Sequence, residues 1–374
     1  MRRLLASLAL FAVTACPAPA DVTPIIHVDP RAAQRLAWFA KMAPPDEAEP
    51  VATPAARVHR MKDGEQLGGP GATGRPGDLV LENEEVVFVV EARGSSAGLP
   101  ESGGHLVDAA DAHVRKDELG QMLPRLGASP GRDACESVTT GTAADGSAWI
   151  ETRGREPAAA GAADVKLALT TRYTLHGPDR ALLVETTVEN TGDAAATLPW
   201  LGDVVAWGDA ERVAPGKPRG FLGPTSGSYV GAVGRFVSYA IASTEGDIEA
   251  VSATSSTETA VREKVPLAAH ETTHYERIFL VGARPDTSSL VGELALAAGQ
   301  PVGEVKLTVP GGGAGTRIEV TPDGSTEALT MAAPFEAVLP LGRYWITPRE
   351  GTTRIGPLDV KAEGVAEAAV PKKD

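Results

Sequence analysis

The chain has 374 residues, a formal charge of -14, 41 Gly, 29 Pro and only 5% aromatic residues. Hydrophobic residues make up 43%, enough for one or two cores, which excludes a disordered polymer. The acidic balance excludes a nucleic-acid-binding face, and the turn-rich profile points away from helical bundles toward short strands joined by tight turns.

Arg2 and Arg3 precede an apolar stretch from Leu4 to Ala15. It is too short to span a bilayer, which needs about 20 residues, and has the layout of a secretory leader. Val13-Thr14-Ala15-Cys16 resembles a bacterial lipobox. In that pattern the small residues admit the signal peptidase and the thiol receives the lipid. Residues 1–15 are therefore expected to be leader, and Cys16 the lipidated first residue of an exported protein of the bacterial cell envelope, at the outer membrane. The alternative is an ordinary leader cut near Ala18 or Ala20, with Cys16 incidental. Without Arg2 and Arg3 the charge is -16. Cys135 is then the lone cysteine and cannot close an internal disulfide, so we read it as a buried, idle thiol.

Residues 16–56 read as a tether. Asp29-Pro30 suits a helix start, Leu36 and Phe39 share a face with Trp38 beside it, Pro44-Pro45 ends the helix, and a Pro-rich acidic linker follows. Residues 57–300 read as one large β unit. Leu79-Val80-Leu81 and Val86 to Val90 flank Asn83-Glu84 as strand, turn, strand. Asp111 to Leu123 reads as a short helix. From Val165 to Leu175 and from Leu182 to Val188, apolar and polar residues alternate about the turn His176-Gly177-Pro178-Asp179, which predicts a long antiparallel hairpin. Strands are expected at Ser228–Ser243, Ile248–Thr254 and Tyr275–Val281, and a helix at Ser288–Ala298 with Leu290 and Leu294 on one face and Gly299 as its stop. Residues 301–374 read as a small β-sandwich, with strands at Val305–Val309, Ile318–Thr321, Phe335–Leu339, Tyr344–Thr347, Leu358–Val360 and Val365–Val370.

Two groups of motifs carry a family resemblance. The first is Gly69-Pro70-Gly71-Ala72, Arg75-Pro76-Gly77-Asp78 and Gly103-Gly104-His105-Leu106-Val107-Asp108-Ala109. The second is Thr171 to Leu175, Trp200 to Gly208 and Ala214-Pro215-Gly216. Together they resemble the β-rich region that precedes the PHP metallohydrolase domain in CehA/McbA-type exported proteins. The resemblance implies a large sandwich of the galactose mutarotase type. Ala333-Pro334-Phe335 and Leu339 to Trp345 resemble a carboxypeptidase regulatory-like domain. The closely spaced His residues that would open a PHP domain do not occur in this sequence.

His270-Glu271-Thr272-Thr273-His274 matches H-E-x-x-H, in which two His one helical turn apart bind zinc and the Glu activates water. Thr272 and Thr273 are β-branched and Tyr275 to Val281 alternates, so a turn leading into a strand is expected instead. Glu293 lies far enough along the chain to be a third ligand, but no pattern marks it as one. A mutarotase needs a His acid and a carboxylate base across a sugar. His105 beside Asp108 could line such a cleft, while His176 reads as a loop residue. Trp200, Asp203, Trp207 and Asp209 form the strongest binding candidate, because aromatic faces stack on sugar rings and carboxylates accept from hydroxyls. The competing reading places the Trp residues in the core, Trp200 first. Asp323-Gly324 lacks the spacing of an EF-hand, and the Gly-rich runs at 68–77 and 311–315 lack a P-loop Lys, so all are turns.

The expectation is thus a lipid-anchored, exported, all-β protein with a non-catalytic binding or scaffold role. Its expected partners are the membrane through Cys16, carbohydrate, or a separately encoded hydrolase, and not nucleic acid. The alternative is an enzyme, either a mutarotase-like epimerase or a zinc hydrolase using His270, Glu271 and His274. No cofactor is expected outside the zinc alternative.

Overall fold

A computed structural model describes residues 55–94, 102–126, 134–156, 166–308, 316–325, 328–333, 335–348 and 354–370. The leader, Cys16, the tether with Trp38 and Phe39, and the Gly run at 311–315 lie outside the described residues.

The described chain is almost entirely strand. The large unit contains β1 (Arg57–Arg60), β2 (Leu79–Glu82), β3 (Val86–Val90), β4 (Leu106–Asp111), β5 (Gln121–Arg125), β6 (Ala134–Thr142), β7 (Ala148–Glu156), β8 (Leu167–Leu175) and β9 (Ala181–Asn190). It continues with β10 (Ala196–Ala206), β11 (Glu211–Val213), β12 (Gly223–Gly227), β13 (Val230–Val233), β14 (Ser238–Ser243), β15 (Ile248–Ser252), β16 (Ser256–Ala260), β17 (Arg262–Leu267) and β18 (Thr272–Val281). Helix α1 (Thr287–Ala297) follows. The small unit contains β19 (Val302–Thr308), β20 (Thr316–Pro322), β21 (Leu329–Ala333), β22 (Phe335–Pro340), β23 (Gly342–Pro348), β24 (Ile355–Val360) and β25 (Val365–Ala369).

The large unit is a sandwich of two antiparallel sheets. One runs β1-β2-β3-β4-β5-β10-β16-β15-β12, with β17 also paired to β10, and the other runs β11-β13-β14-β18-β9-β8-β7-β6. Period-2 alternation places one side chain in two between the sheets. In β8, Leu167, Leu169, Tyr173 and Leu175 face inward and are buried. They join Phe88, Leu106, Ile150, Leu182, Val184, Trp207, Tyr239 and Phe279 in one core and a neighbouring one. The hairpin expected from the alternation is present, with Leu175 opposite Leu182 and Leu169 opposite Val188. The single strand expected at Ser228–Ser243 is instead two, β13 and β14, paired with Val233 opposite Ser238.

The expected helix at Asp111–Leu123 does not form. Asp111 Oδ1 accepts from the backbone N of His113 and Val114, each at 2.9 Å, and turns the chain at the end of β4. Asp117 Oδ1 accepts from Ala109 N at 2.9 Å and Leu119 N at 3.1 Å, and Tyr239 Oη lies 2.8 Å away. Buried carboxylates that capture backbone donors offer the chain an alternative to helical bonds.

The Gly-rich run at 68–77 is a strap rather than a free turn. It covers Val80, Val87, Val89, Val107 and Ala110 on the outer face of the first sheet, together with Met61 and Leu67. Asp108 pins it, accepting from Thr73 N at 2.8 Å and Gly74 N at 2.9 Å. A Cβ on Gly71 would come within 2.7 Å of Leu119 N and Asp117 Oδ2, so only glycine fits this crossing.

Helix α1 starts at Asp286, whose side chain accepts from Ser289 N at 2.8 Å. Leu290 and Leu294 pack on the outer face of β13, β14 and β18, as their spacing implied. The opposite side meets the small unit, where a Cβ on Gly292 would lie 2.1 Å from Val338 O. The small unit is itself a two-sheet sandwich, β22-β19-β25 over β21-β20-β23-β24, around Leu307, Val320, Leu339, Tyr344 and Ile346. Strand β21 was not legible in the sequence.

Candidate functional site

The cluster expected at Trp200, Asp203, Trp207 and Asp209 is not a single site. Alternation turns Leu201, Asp203 and Val205 inward, and Trp207 follows them into the core. Trp207 is fully buried, stacks on Tyr239 and Phe279, and donates from Nε1 to Thr257 Oγ1 at 2.8 Å. Asp203 is also fully buried and grips Arg277 through Nε at 2.8 Å and Nη2 at 2.6 Å. Burial opposes the Arg277 charge, but Asp203, together with Tyr275 and Tyr173, outweighs it, so its pKa rises. Burial pushes the Asp203 carboxyl up while Arg277 opposes that shift. Trp200 points outward, half-buried beneath the Arg125 guanidinium at 4.9 Å, and Asp209 is exposed. The expectation that Trp200 would be the core residue is therefore reversed: the inward parity belongs to Trp207.

His105 and Asp108 are both buried. Asp108 holds the strap, and its pKa is raised, first by burial. His176 lies in the turn after β8, as expected, and Cys135 is buried.

The H-E-x-x-H stretch does not form a helix. His270 has φ 60° and its Nε2 lies 3.2 Å from Asp193 Oδ1. Glu271 Oε2 accepts from Ala268 N at 2.6 Å, and β18 begins at Thr272, with His274 opposite Thr187. The two His therefore lack the one-turn relationship that zinc binding through this motif requires. Among the described residues no group of three or more His, Cys, Asp or Glu is placed to hold a metal.

A different surface gathers binding chemistry. The helix packs on β13, β14 and β18 and touches the start of β9 at Ala181; among the described residues no element covers the outer face of β6, β7, β8 and the rest of β9. On it Trp149 of β7 stands opposite Gly141 of β6 and Thr174 of β8. The indole lies over Gly141, where an added Cβ would meet the ring at 2.6 Å. The Arg172 guanidinium sits 4.2 Å from the ring centroid, a cation–π distance. Glu151 faces Arg172 across the register, with Oε2 3.6 Å from Arg172 Nη1, and its Oε1 accepts from Arg153 Nη2 at 2.9 Å. Glu185 stands on the other side of Arg172, and Glu276 stands beyond it.

Trp149 is half-buried, packed over Gly141 with the Arg172 guanidinium on its ring, so the ring is fixed by packing. Fixed aromatic surface beside carboxylates and guanidinium groups can hold a ligand that has both apolar and hydroxyl faces. Trp149 escaped the sequence reading because β7 went unrecognised. The signal was present in Ala148-Trp149-Ile150, where two inward residues force the aromatic outward.

Beyond this face lies a cleft of about 610 Å³ among the large unit, α1 and the small unit. Ala242, Ile278, Leu294, Leu329 and Tyr344 line it, with Ser243, Asp247 and Gln300 among its polar groups. Burial pushes the Tyr344 hydroxyl up to about 12, and it donates to Pro340 O at 2.8 Å.

No protein-family model matches the chain, and no curated protein matches it. Among solved structures it is similar to a TPR-domain containing protein from Parabacteroides distasonis, at 11% identity and a TM-score of 0.40, over 62% of this chain and 55% of that one. It is similar to the galactosidase domain of an alpha-galactosidase-sucrose kinase, at 13% identity and a TM-score of 0.38, over 65% and 46%. It is also similar to a candidate aldose 1-epimerase from Klebsiella pneumoniae, at 10% identity and a TM-score of 0.34, over 60% and 91%. The match spans about half the length of the first two.

Proposed function

We propose that this chain is an exported binding module of the cell envelope that holds carbohydrate on the open face of β6–β9 and does no chemistry on it. The observation that carries the reading is Trp149, fixed over Gly141 on an open sheet face and flanked by Arg172, Glu151 and Glu185. The ring supplies apolar contact, and the charged groups supply hydrogen bonds to hydroxyls. Anchorage by a lipid on Cys16 is supported by the Val13-Thr14-Ala15-Cys16 pattern. The glycine and tryptophan motifs support kinship with the region that precedes PHP domains, with the small unit as a carboxypeptidase regulatory-like domain and a separately encoded hydrolase as a partner.

A panel of soluble oligosaccharides, followed by calorimetry and NMR of the sugar, tests this reading. The expected result is binding that Trp149→Ala weakens about tenfold, with the sugar unaltered. Binding unaffected by that substitution, or turnover of the sugar, would refute it. Membrane fractionation of Cys16→Ser checks the anchor, and the variant is expected in the soluble fraction.

A further inference from the structure

We infer that the ligand of the open face is a linear oligosaccharide that lies across the strands, from Trp149 into the cleft beside α1. This rests on the carbohydrate reading above. The register supplies the path: Trp149 stands opposite Thr174, Thr174 opposite Leu183, Leu183 opposite Ile278, and Ile278 opposite Ala242. Ile278 and Ala242 also line the cleft, so one row of side chains joins the aromatic platform to it. Four strand spacings make this row about 19 Å long, too long for one sugar ring.

A second row runs beside the first. Glu151, Arg172, Glu185 and Glu276 stand opposite one another in register. Glu185 faces Glu276 directly, a like-charge pair that costs stability. Hydroxyls donated by a ligand would relieve that repulsion. Apolar floor on one side and acceptors along the other match a chain whose C–H faces and hydroxyls alternate. An acyl chain would use only the floor and leave Ser243 and Gln300 against hydrocarbon. The small unit, through Tyr344 and Leu329, would complete the far wall.

The test uses the full chain and a length ladder of two to six sugars from the cello-, manno- and galacto-oligosaccharide series. Affinity is expected to rise at least tenfold with length and then level off. Leu294→Arg, which blocks the cleft, is expected to remove that gain, whereas Trp149→Ala weakens every length. Gln300→Trp, at an exposed rim position, repeats the block without touching the packed side of α1. Length-independent binding that still depends on Trp149 would overturn the inference and leave the carbohydrate reading standing. Binding that ignores Trp149, or no binding by any series, would overturn both. Preferential capture of a fluorescent fatty acid in the cleft would also overturn the inference.

Discussion

Arg277 and Asp203 form a bidentate ion pair between the two sheets of the large unit, with no solvent exposure on either side chain. The remaining guanidinium nitrogen donates to Val184 O at 3.1 Å and Thr186 Oγ1 at 2.6 Å, and the Tyr275 ring lies 4.4 Å away. Asp203 is therefore a brace within the core. Removing one member strands the other charge, so Asp203→Ala is expected to cost about 3–5 kcal/mol in denaturant unfolding. The double substitution Asp203→Leu with Arg277→Met is expected to recover most of that loss, because no buried charge is left unpaired.

Trp207, just past the end of β10, and Trp149 of β7 should separate cleanly. Trp207→Ala removes a fully buried ring and is expected to destabilise by about 3–5 kcal/mol. Trp149→Ala removes a half-buried surface ring and is expected to lower stability much less while losing carbohydrate affinity. Thermal unfolding and sugar titration on the same two proteins measure this contrast.

Asp117 gives the fold a pH dependence of known sign. Burial, with Asp108 nearby, raises its pKa well above the usual carboxylate value. The fold therefore holds a proton that the unfolded chain gives up at lower pH. The stability contributed by this group is complete below the ordinary carboxylate pKa and is lost as the pH rises toward the folded value. Asp117→Asn keeps an oxygen acceptor for Ala109 N and Leu119 N and cannot ionise. The melting temperature of the variant minus that of the parent should rise between pH 4 and pH 8, and parallel curves would rule the assignment out.

The strap depends on one crossing. Gly71→Ala would drive a Cβ to within 2.5 Å of the Glu118 carbonyl carbon, and backbone cannot move aside as a flexible side chain can. A loss of about 1–3 kcal/mol is expected. Hydrogen exchange should report it first over residues 67–78, which the strap and its Asp108 bonds protect.

Alternation along the chain was sufficient for the β class, the β8–β9 hairpin and the strand at Tyr275–Val281, since a side chain's face follows from its parity once a strand is recognised. The same rule would have placed Trp207 inside with Asp203 and Trp149 outside with Glu151, had β7 and the parity of β10 been followed. The stop at Gly299 and the face carrying Leu290 and Leu294 were legible because a helix end and helical spacing are local.

What no local rule could supply was partnership across the sheets. Asp111 and Asp117 sit in a stretch with helical spacing, yet Asp111 Oδ2 accepts from Arg180 Nη2 at 2.7 Å, and Asp117 takes backbone donors at Ala109 and Leu119 and the hydroxyl of Tyr239, more than a hundred residues away in the chain. Asp203 reads as a surface acid until Arg277 is brought against it. For the H-E-x-x-H stretch the β-branched Thr272 and Thr273 and the alternation after them had already marked a strand; the fold adds its partner, β9, with His274 opposite Thr187. Composition and periodicity decided that this chain folds as packed sheets. Which acids and rings became core, and which remained for a ligand, was decided by desolvation and hydrogen bonding between residues that only the folded chain brings together.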